Sequence, residues 1–232
     1  MGLFNSLKYF LRHPLRLPGV LLSRLPAFRF VRETTDYQCP HTFEHWFSQK
    51  VLNVGNNKAA YWAVHPTSSV VNPQNIYAGI DTAPGFMRGC YIQGAGGIYV
   101  GDYTQIAPNV AIVSSNHDIY DSRKEIKKPV QIGKYCWLAA NVSVVPGVTL
   151  GDFTIVGAGA VVTKSFPEGY CIIGGVPAQI IKHLDRERCI PFHNKVAYNG
   201  YIRSDAFEAF RREHLDIDTF FPHLFHPTLV AE

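Results

Sequence analysis

One histidine stands apart by its place in the chain. His117 closes the stretch IVSSNH at 112–117, and a polar, charged run, DIYDSRKEIKKPVQ, follows it at 118–131. An imidazole can take a proton from a hydroxyl near neutral pH, which is the work of a general base. On position alone that role competes with an ordinary loop histidine. His41 and His45 stand four apart, as metal ligands on a helix do. With no third ligand nearby they read as packing or surface histidines, and no metal site is expected. The cysteines, at 39, 90, 136, 171 and 189, form no CxxC and no even framework. They read as small buried hydrophobes of a reducing compartment.

What could position His117 is a repeat. From Ile132 to Pro167 the chain falls into sixes: IGKYCW, LAANVS, VVPGVT, LGDFTI, VGAGAV, VTKSFP. The first position is Ile132, Leu138, Val144, Leu150, Val156 and Val162, always aliphatic. The second is mostly small, and the fifth is Cys136, Val142, Val148, Thr154, Ala160 and Phe166. A sustained period of six fits neither a helix nor simple strand alternation. It calls for a solenoid in which each six residues make one short strand and one corner. The first and fifth positions stack inward, and a small second position lets the chain turn. Gly101-Asp102 and Gly151-Asp152 mark such corners. A β-sandwich would space its strands at roughly 8–12 residues, which does not fit.

The same frame, begun at Val70, is expected to hold as far as His117, with Val70, Ile76, Val100, Ile106 and Ile112 in the first position. Thr82, Arg88 and Gly94 break it, and there Ile80, Phe86, Ile92 and Ile98 take the apolar role from the fifth position. If three hexads make a turn, the repeats give about four and a half coils. Residues 118–131 then leave the core as a surface loop, the place where solenoids often carry function.

With 232 residues, nearly half of them apolar, the chain suits one domain with appendages. The division expected is 1–63 as a basic, aromatic cap, 64–181 as the repeat domain with its loop at 118–131, and 182–232 as an extension with a helix. A net charge of +4 fits an anionic small ligand or membrane surface better than nucleic acid. No apolar run reaches the roughly 20 residues of a membrane span. Pro14, Pro18 and Pro26 interrupt the N-terminal apolar segments, so no signal-peptide pattern is read. Residues 1–32 hold Lys8, Arg12, Arg16, Arg24, Arg29 and Arg32 and no acidic residue, with Leu3, Phe4, Leu7, Phe10 and Leu11 at helical spacing. Two readings compete there: peripheral contact with an anionic membrane, or packing on the protein itself or on a neighbouring subunit. Phe43, Trp46, Phe47, Tyr61 and Trp62 are expected to cap the open end of the solenoid. Near the other end, Pro177 is expected to open a helix, and Asp205 with Glu208 to form a capping box over Phe207, Phe210 and Leu215.

The hexads, the single loop after SSNHD and the closing VGAGAVVTKSFPEGYCIIGGVPAQII resemble the left-handed β-helix hexapeptide-repeat acyltransferases. The branch they look most like holds galactoside, maltose and xenobiotic acetyltransferases and the O-acetyltransferases of capsular and exopolysaccharide sugars. The resemblance covers roughly 64–182. It implies an all-β left-handed parallel β-helix with N- and C-terminal extensions, assembled as a cytoplasmic homotrimer with active sites between neighbours. It implies acetyl-CoA as co-substrate and no metal. His117 matches the base that deprotonates the acceptor hydroxyl, with direct transfer through a tetrahedral intermediate. The cofactor contacts carry over to Ala140, Ala158, Thr163 and Lys164, and Lys182 is a candidate to meet a phosphate as a point charge. The sequence departs from its relatives in having Ala140 where a small hydroxyl residue is common and Gln179 where Arg or Lys is common.

Around the histidine, Asn116 and Asp118 are candidates to orient the ring, and Tyr120 and Asp121 to touch the acceptor. The leading expectation is O-acetylation of a sugar hydroxyl in a surface-polysaccharide precursor. The alternatives are N-acetylation of an amino sugar or xenobiotic amine, and an idle trimeric scaffold. A three-histidine zinc enzyme is disfavoured, because His117 is the one histidine between 66 and 182.

Overall fold

The computed structural model describes residue 19 and residues 21–225. Its centre is a three-sided coil in which each turn places one short strand on each of three parallel faces. Face 1 stacks Ser69–Val71, Tyr91–Gln93, Ala111–Val113, Ser143–Val144 and Val161–Val162. Face 2 stacks Ile76–Ala78, Ile98–Val100, Val130–Ile132 and Thr149–Leu150, and Phe166 bridges to Leu150 above them. Face 3 stacks Gln105–Ile106, Trp137–Leu138, Thr154–Val156 and Cys171–Gly174, and ends in the antiparallel strand Gln179–His183.

The six-residue reading explains the later coils directly. Ser143 pairs with Val161, Gln131 with Thr149 and Trp137 with Ile155, each a step of 18 residues or three hexads. Ile132, Leu138, Val144, Leu150, Val156 and Val162 point inward and are at most 1% exposed. Burying one such side chain stabilises the fold by roughly 1.5–3 kcal/mol. The fifth positions lie in the same core.

The earlier coils correct the expected frame. Val70 pairs with Ile92 and Ile92 with Ile112, steps of 22 and then 20 residues. Neither step is a multiple of six, but together they are, so counting by sixes from Val70 still arrives in phase at Ile112. The extra residues swell the corners around 72–75, 83–89 and 94–97.

Gly79, Gly101, Gly133 and Gly151 stack at the corner between faces 2 and 3. A Cβ on any of them would sit within 2.8 Å of the next coil's backbone. Two residues beyond three of them stand Tyr103, Tyr135 and Phe153, and Tyr170 follows Gly169. All four aromatics have positive φ, between 46° and 59°. Their rings stack in a ladder with centroids 4.8–5.2 Å apart, which offsets a conformation that bulky residues avoid.

The appendages close what the coil leaves open. Helices α1 (Phe30–Glu33) and α2 (Phe43–Trp46) pack on Phe28, Tyr198 and Tyr201. The Asn57 carboxamide donates to Ser68 O at 2.8 Å and accepts from Val70 N at 3.0 Å, covering the edge of the first strand. Helix α3 (Ser204–His214) lays Phe207 and Phe210 on Tyr61, and Phe207 on Tyr77, and the buried Phe221 packs against Tyr99, so face 2 is covered.

Two local expectations are corrected. Pro177 opens no helix, because residues 175–178 turn the chain back into the strand Gln179–His183. Helix α3 begins at Ser204, so Asp205 already lies in the first turn and no side chain caps the end. His41 packs edge-on against Tyr37 and Tyr201, and His45 against Phe86. Leu3, Phe4, Leu7, Lys8, Phe10, Leu11, Arg12 and Arg16 lie outside the described residues. No helix among the described residues is long and apolar enough to cross a membrane.

Candidate active site

The inserted loop is a hairpin. Ser115–His117 pairs antiparallel with Glu125–Lys127, and Val130 and Gln131 already belong to face 2. The insert therefore spans 114–129 rather than 118–131, because backbone pairing carries it back into the coil before the aliphatic pattern resumes at Ile132.

The base of this hairpin is held from the coil below. The Gln93 carbonyl oxygen Oε1 accepts from Ser114 N at 3.2 Å and Ser115 N at 3.1 Å, and its Nε2 donates to Ser115 Oγ. Ser114 Oγ donates to Gln93 O at 2.8 Å and accepts from Gly96 N at 2.9 Å. Gly96 is required by contact: a Cβ there would lie 2.1 Å from Ser114 O. His117 projects two residues beyond this clamp, exposed, and its ring makes no hydrogen bond or ion pair among the described residues.

Neither neighbour orients that ring within one chain. Asn116 Oδ1 accepts from the backbone N–H of His117 at 2.9 Å. Asp118 Oδ1 accepts from Tyr120 N at 2.8 Å and Asp121 N at 3.0 Å, so it shapes the turn instead. Asp121 holds Arg123 through Nε at 2.8 Å, and that guanidinium lowers the Asp121 carboxyl below its ordinary range. Tyr120 is 92% exposed at the hairpin tip.

The residues expected to hold the cofactor fall into three places. Ala140 and Ala158 sit on successive coils at the corner between faces 3 and 1, where Gly159 N donates to Ala140 O at 2.9 Å. A Cβ on Gly159 would meet nothing within 4 Å, so this corner is open. Thr163 and Lys164 sit at the corner between faces 1 and 2, two coils beyond the hairpin. Lys164 Nζ donates to Gln179 Oε1 at 2.7 Å. Lys182 lies at the end of face 3, opposite Ile172, and lines a 340 Å³ cavity with His183 and Arg188. The aromatic ladder, Gln93, Trp137 and Arg188 were not singled out from the sequence. The ladder had a signal, an aromatic residue two positions after a corner glycine, while Gln93 had none.

A hexapeptide-repeat coil that carries a histidine on a clamped hairpin is the class these features define. Comparison with known proteins agrees. Residues 129–164 match the family model "Bacterial transferase hexapeptide (six repeats)". The chain is 33% identical over 96 residues to galactoside O-acetyltransferase of Escherichia coli strain K12, 39% of this chain and 47% of that protein. It is 39% identical over 88 residues to the putative colanic acid biosynthesis acetyltransferase WcaF of the same strain, 38% of this chain and 48% of that protein. A solved galactoside acetyltransferase in complex with coenzyme A superposes with a TM-score of 0.52 at 26% identity, covering 77% of this chain and 86% of that one. The chain spans about half the length of the curated relatives it matches. The chain carries a match to the hexapeptide repeat at 129–164 and is similar to these acetyltransferases.

Proposed function

We propose that this protein is an acetyl-CoA-dependent O-acetyltransferase acting on a sugar hydroxyl of a surface-polysaccharide precursor. The observation that carries the reading is His117 itself. It is exposed, on a hairpin fixed to a rigid coil, in a chain similar over 96 residues to galactoside O-acetyltransferase. WcaF, by its name a colanic acid enzyme, supports a polysaccharide acceptor.

In this reading the His117 ring takes the proton of the acceptor hydroxyl as its oxygen bonds to the acetyl carbonyl carbon. The carbon–sulfur bond breaks, and the proton held by the ring passes to the sulfur, which leaves as the thiol. A general base contributes roughly 10²–10⁴-fold, and holding both substrates in one cleft adds to it. The open corner at Ala140, Ala158 and Gly159 suits the narrow arm of coenzyme A, with Thr163, Lys164 and Lys182 as further contacts.

A homotrimer of left-handed coils fits this arrangement. The histidine hairpin and the Ala140–Ala158 corner stand at opposite edges of face 1, so a cleft holding both needs a neighbouring chain. Face 2 is covered by α3, while the outward row Ser69, Tyr91, Ala111, Ser143 and Val161 on face 1 is left for a partner. Residues 1–32 would bring the assembly to an anionic membrane, a point checked by co-sedimentation of the full chain and a 1–32 deletion with anionic vesicles.

The deciding assay is acetyl-CoA turnover on hydroxyl-only sugars beside matched amino sugars. Turnover on the hydroxyl sugars supports the reading, and a strict amine requirement overturns it.

A further inference from the structure

Away from the hairpin, the outward side of face 3 carries a groove. Two cavities, of 270 and 220 Å³, share Gln38, Gln105 and Trp137 in their walls. Gln105 and Trp137 are cross-strand partners, so their side chains stand side by side about 5 Å apart on one outward face. Ile106 and Leu138, next along each strand, point into the core and fix that outward direction. Trp137 is 50% exposed on this rigid strand. Gln38 approaches from the N-terminal cap.

Gln38 is the telling residue. Both polar atoms of its carboxamide are buried; the Asp81 carboxylate lies close enough to draw on the Nε2 N–H, without well-formed geometry, and Oε1 completes no hydrogen bond among the described residues. Buried amides are ordinarily satisfied, and one held beside a groove is matched by a ligand that hydrogen-bonds there. No residue lining either cavity carries a charge. A phosphate or carboxylate therefore has no counter-ion in this groove. What the groove offers is one indole face and the exposed Gln105 carboxamide, able to donate and to accept, with the buried Gln38 carboxamide reached by a ligand that displaces the cap around it. That is the complement of a pyranose: an apolar C–H face on one side and neighbouring hydroxyls at its edge.

We propose that the Gln38–Gln105–Trp137 groove binds a neutral sugar ring of the acceptor glycan. This deepens the O-acetyltransferase reading and rests on it for the role of the sugar as acceptor, but not for the binding itself.

The test is the intrinsic fluorescence of the full-length protein, titrated separately with methyl galactoside, methyl glucoside, maltotriose and coenzyme A. Of the three tryptophans Trp62 is fully buried and Trp46 packs in the cap on Phe28 and Phe43, so Trp137 is the most exposed reporter. A saturable change with at least one neutral sugar is expected, absent in Trp137→Phe. Gln38→Ala, which keeps the indole, weakens that sugar at least five-fold. Coenzyme A binding, followed by thermal shift, stays within two-fold in both variants. No response to any sugar up to tens of millimolar, or a response to coenzyme A alone, overturns the groove as a sugar site. Sugar binding without any acetyl-CoA turnover would keep the groove and overturn the enzymatic reading.

Discussion

Gln93 and Ser115 hold each other twice: Gln93 Oε1 accepts from Ser115 N at 3.1 Å, and Gln93 Nε2 donates to Ser115 Oγ. One side chain of the coil thereby fixes both the backbone and the side chain of the residue two before His117. The pairing converts a flexible insert into an arm with a set starting direction. Gln93→Leu removes these bonds at similar volume. It is expected to lower kcat by roughly 10–100-fold, because small misplacements of a catalytic group are costly. Acetyl-CoA KM should move less than three-fold, and Gln93→Glu, which keeps the acceptor oxygen, should recover part of the rate. An unchanged kcat in Gln93→Leu would show that the hairpin sets its own direction.

His117→Ala is the complementary experiment. Turnover is expected to fall roughly 10²–10⁴-fold with coenzyme A binding retained. Asn116→Ala should cost much less, since its side chain caps the backbone of His117 rather than its ring. Steady-state rates with calorimetric binding separate the two, and full turnover by His117→Ala would remove the base from the mechanism.

The later coils were legible because each inward residue repeats at three hexads with nothing inserted, as Leu138 over Val156 shows. The early coils were legible only in sum. Their corners hold four and two extra residues, and such insertions leave the core, where hydrophobic periodicity has no record of them. The candidate base was legible because the repeat stops beside it. Its orientation was not, because Asn116 and Asp118 each had several backbone donors within reach, and the turn took both. Gln93 and Gln38 are single polar residues with no periodic partner. Their roles depend on which distant backbone the coil brings beside them, and that is known only once the coil is closed.

The cap makes the protein sensitive to acid. His41 is wholly buried, edge-on to Tyr201 at 5.1 Å and near Tyr37 and His45. Burial, with a smaller push from His45, pulls its pKa from 6.5 to about 3. A lowered histidine stays neutral in the fold while the unfolded chain takes up a proton below pH 6.5, so stability is lost as pH falls from 6.5 towards 3. Each unit in that window costs about 1.4 kcal/mol. Thermal unfolding from pH 7.5 to 5 should show a falling midpoint, and His41→Phe should flatten the decline. An identical slope in both proteins would place the acid sensitivity elsewhere.

Arg211 fastens the C-terminal segment over face 2. Its side chain is 3% exposed, donates to Glu208 through Nε at 2.9 Å and Nη2 at 2.8 Å, and pairs with Asp218 through Nη1. The guanidinium also stacks 4.2 Å from the Phe225 ring. In return, Arg211 and Arg212 hold the Glu208 carboxyl at about 2. Arg211→Ala strips the buried cation, but Glu208 is half exposed and keeps Arg212, so the expected loss falls below the roughly 3–5 kcal/mol typical of a fully buried pair. Lysine cannot reproduce the fork, so Arg211→Lys should recover only part of the loss. Chemical denaturation of the three proteins checks the order. Hydrogen exchange should locate the loss in 204–225 while Ile132, Leu138 and Val144 stay protected, because those residues lie in coils that the tail does not build. Equal loss of protection in the later coils would mean that the tail and the solenoid unfold as one unit.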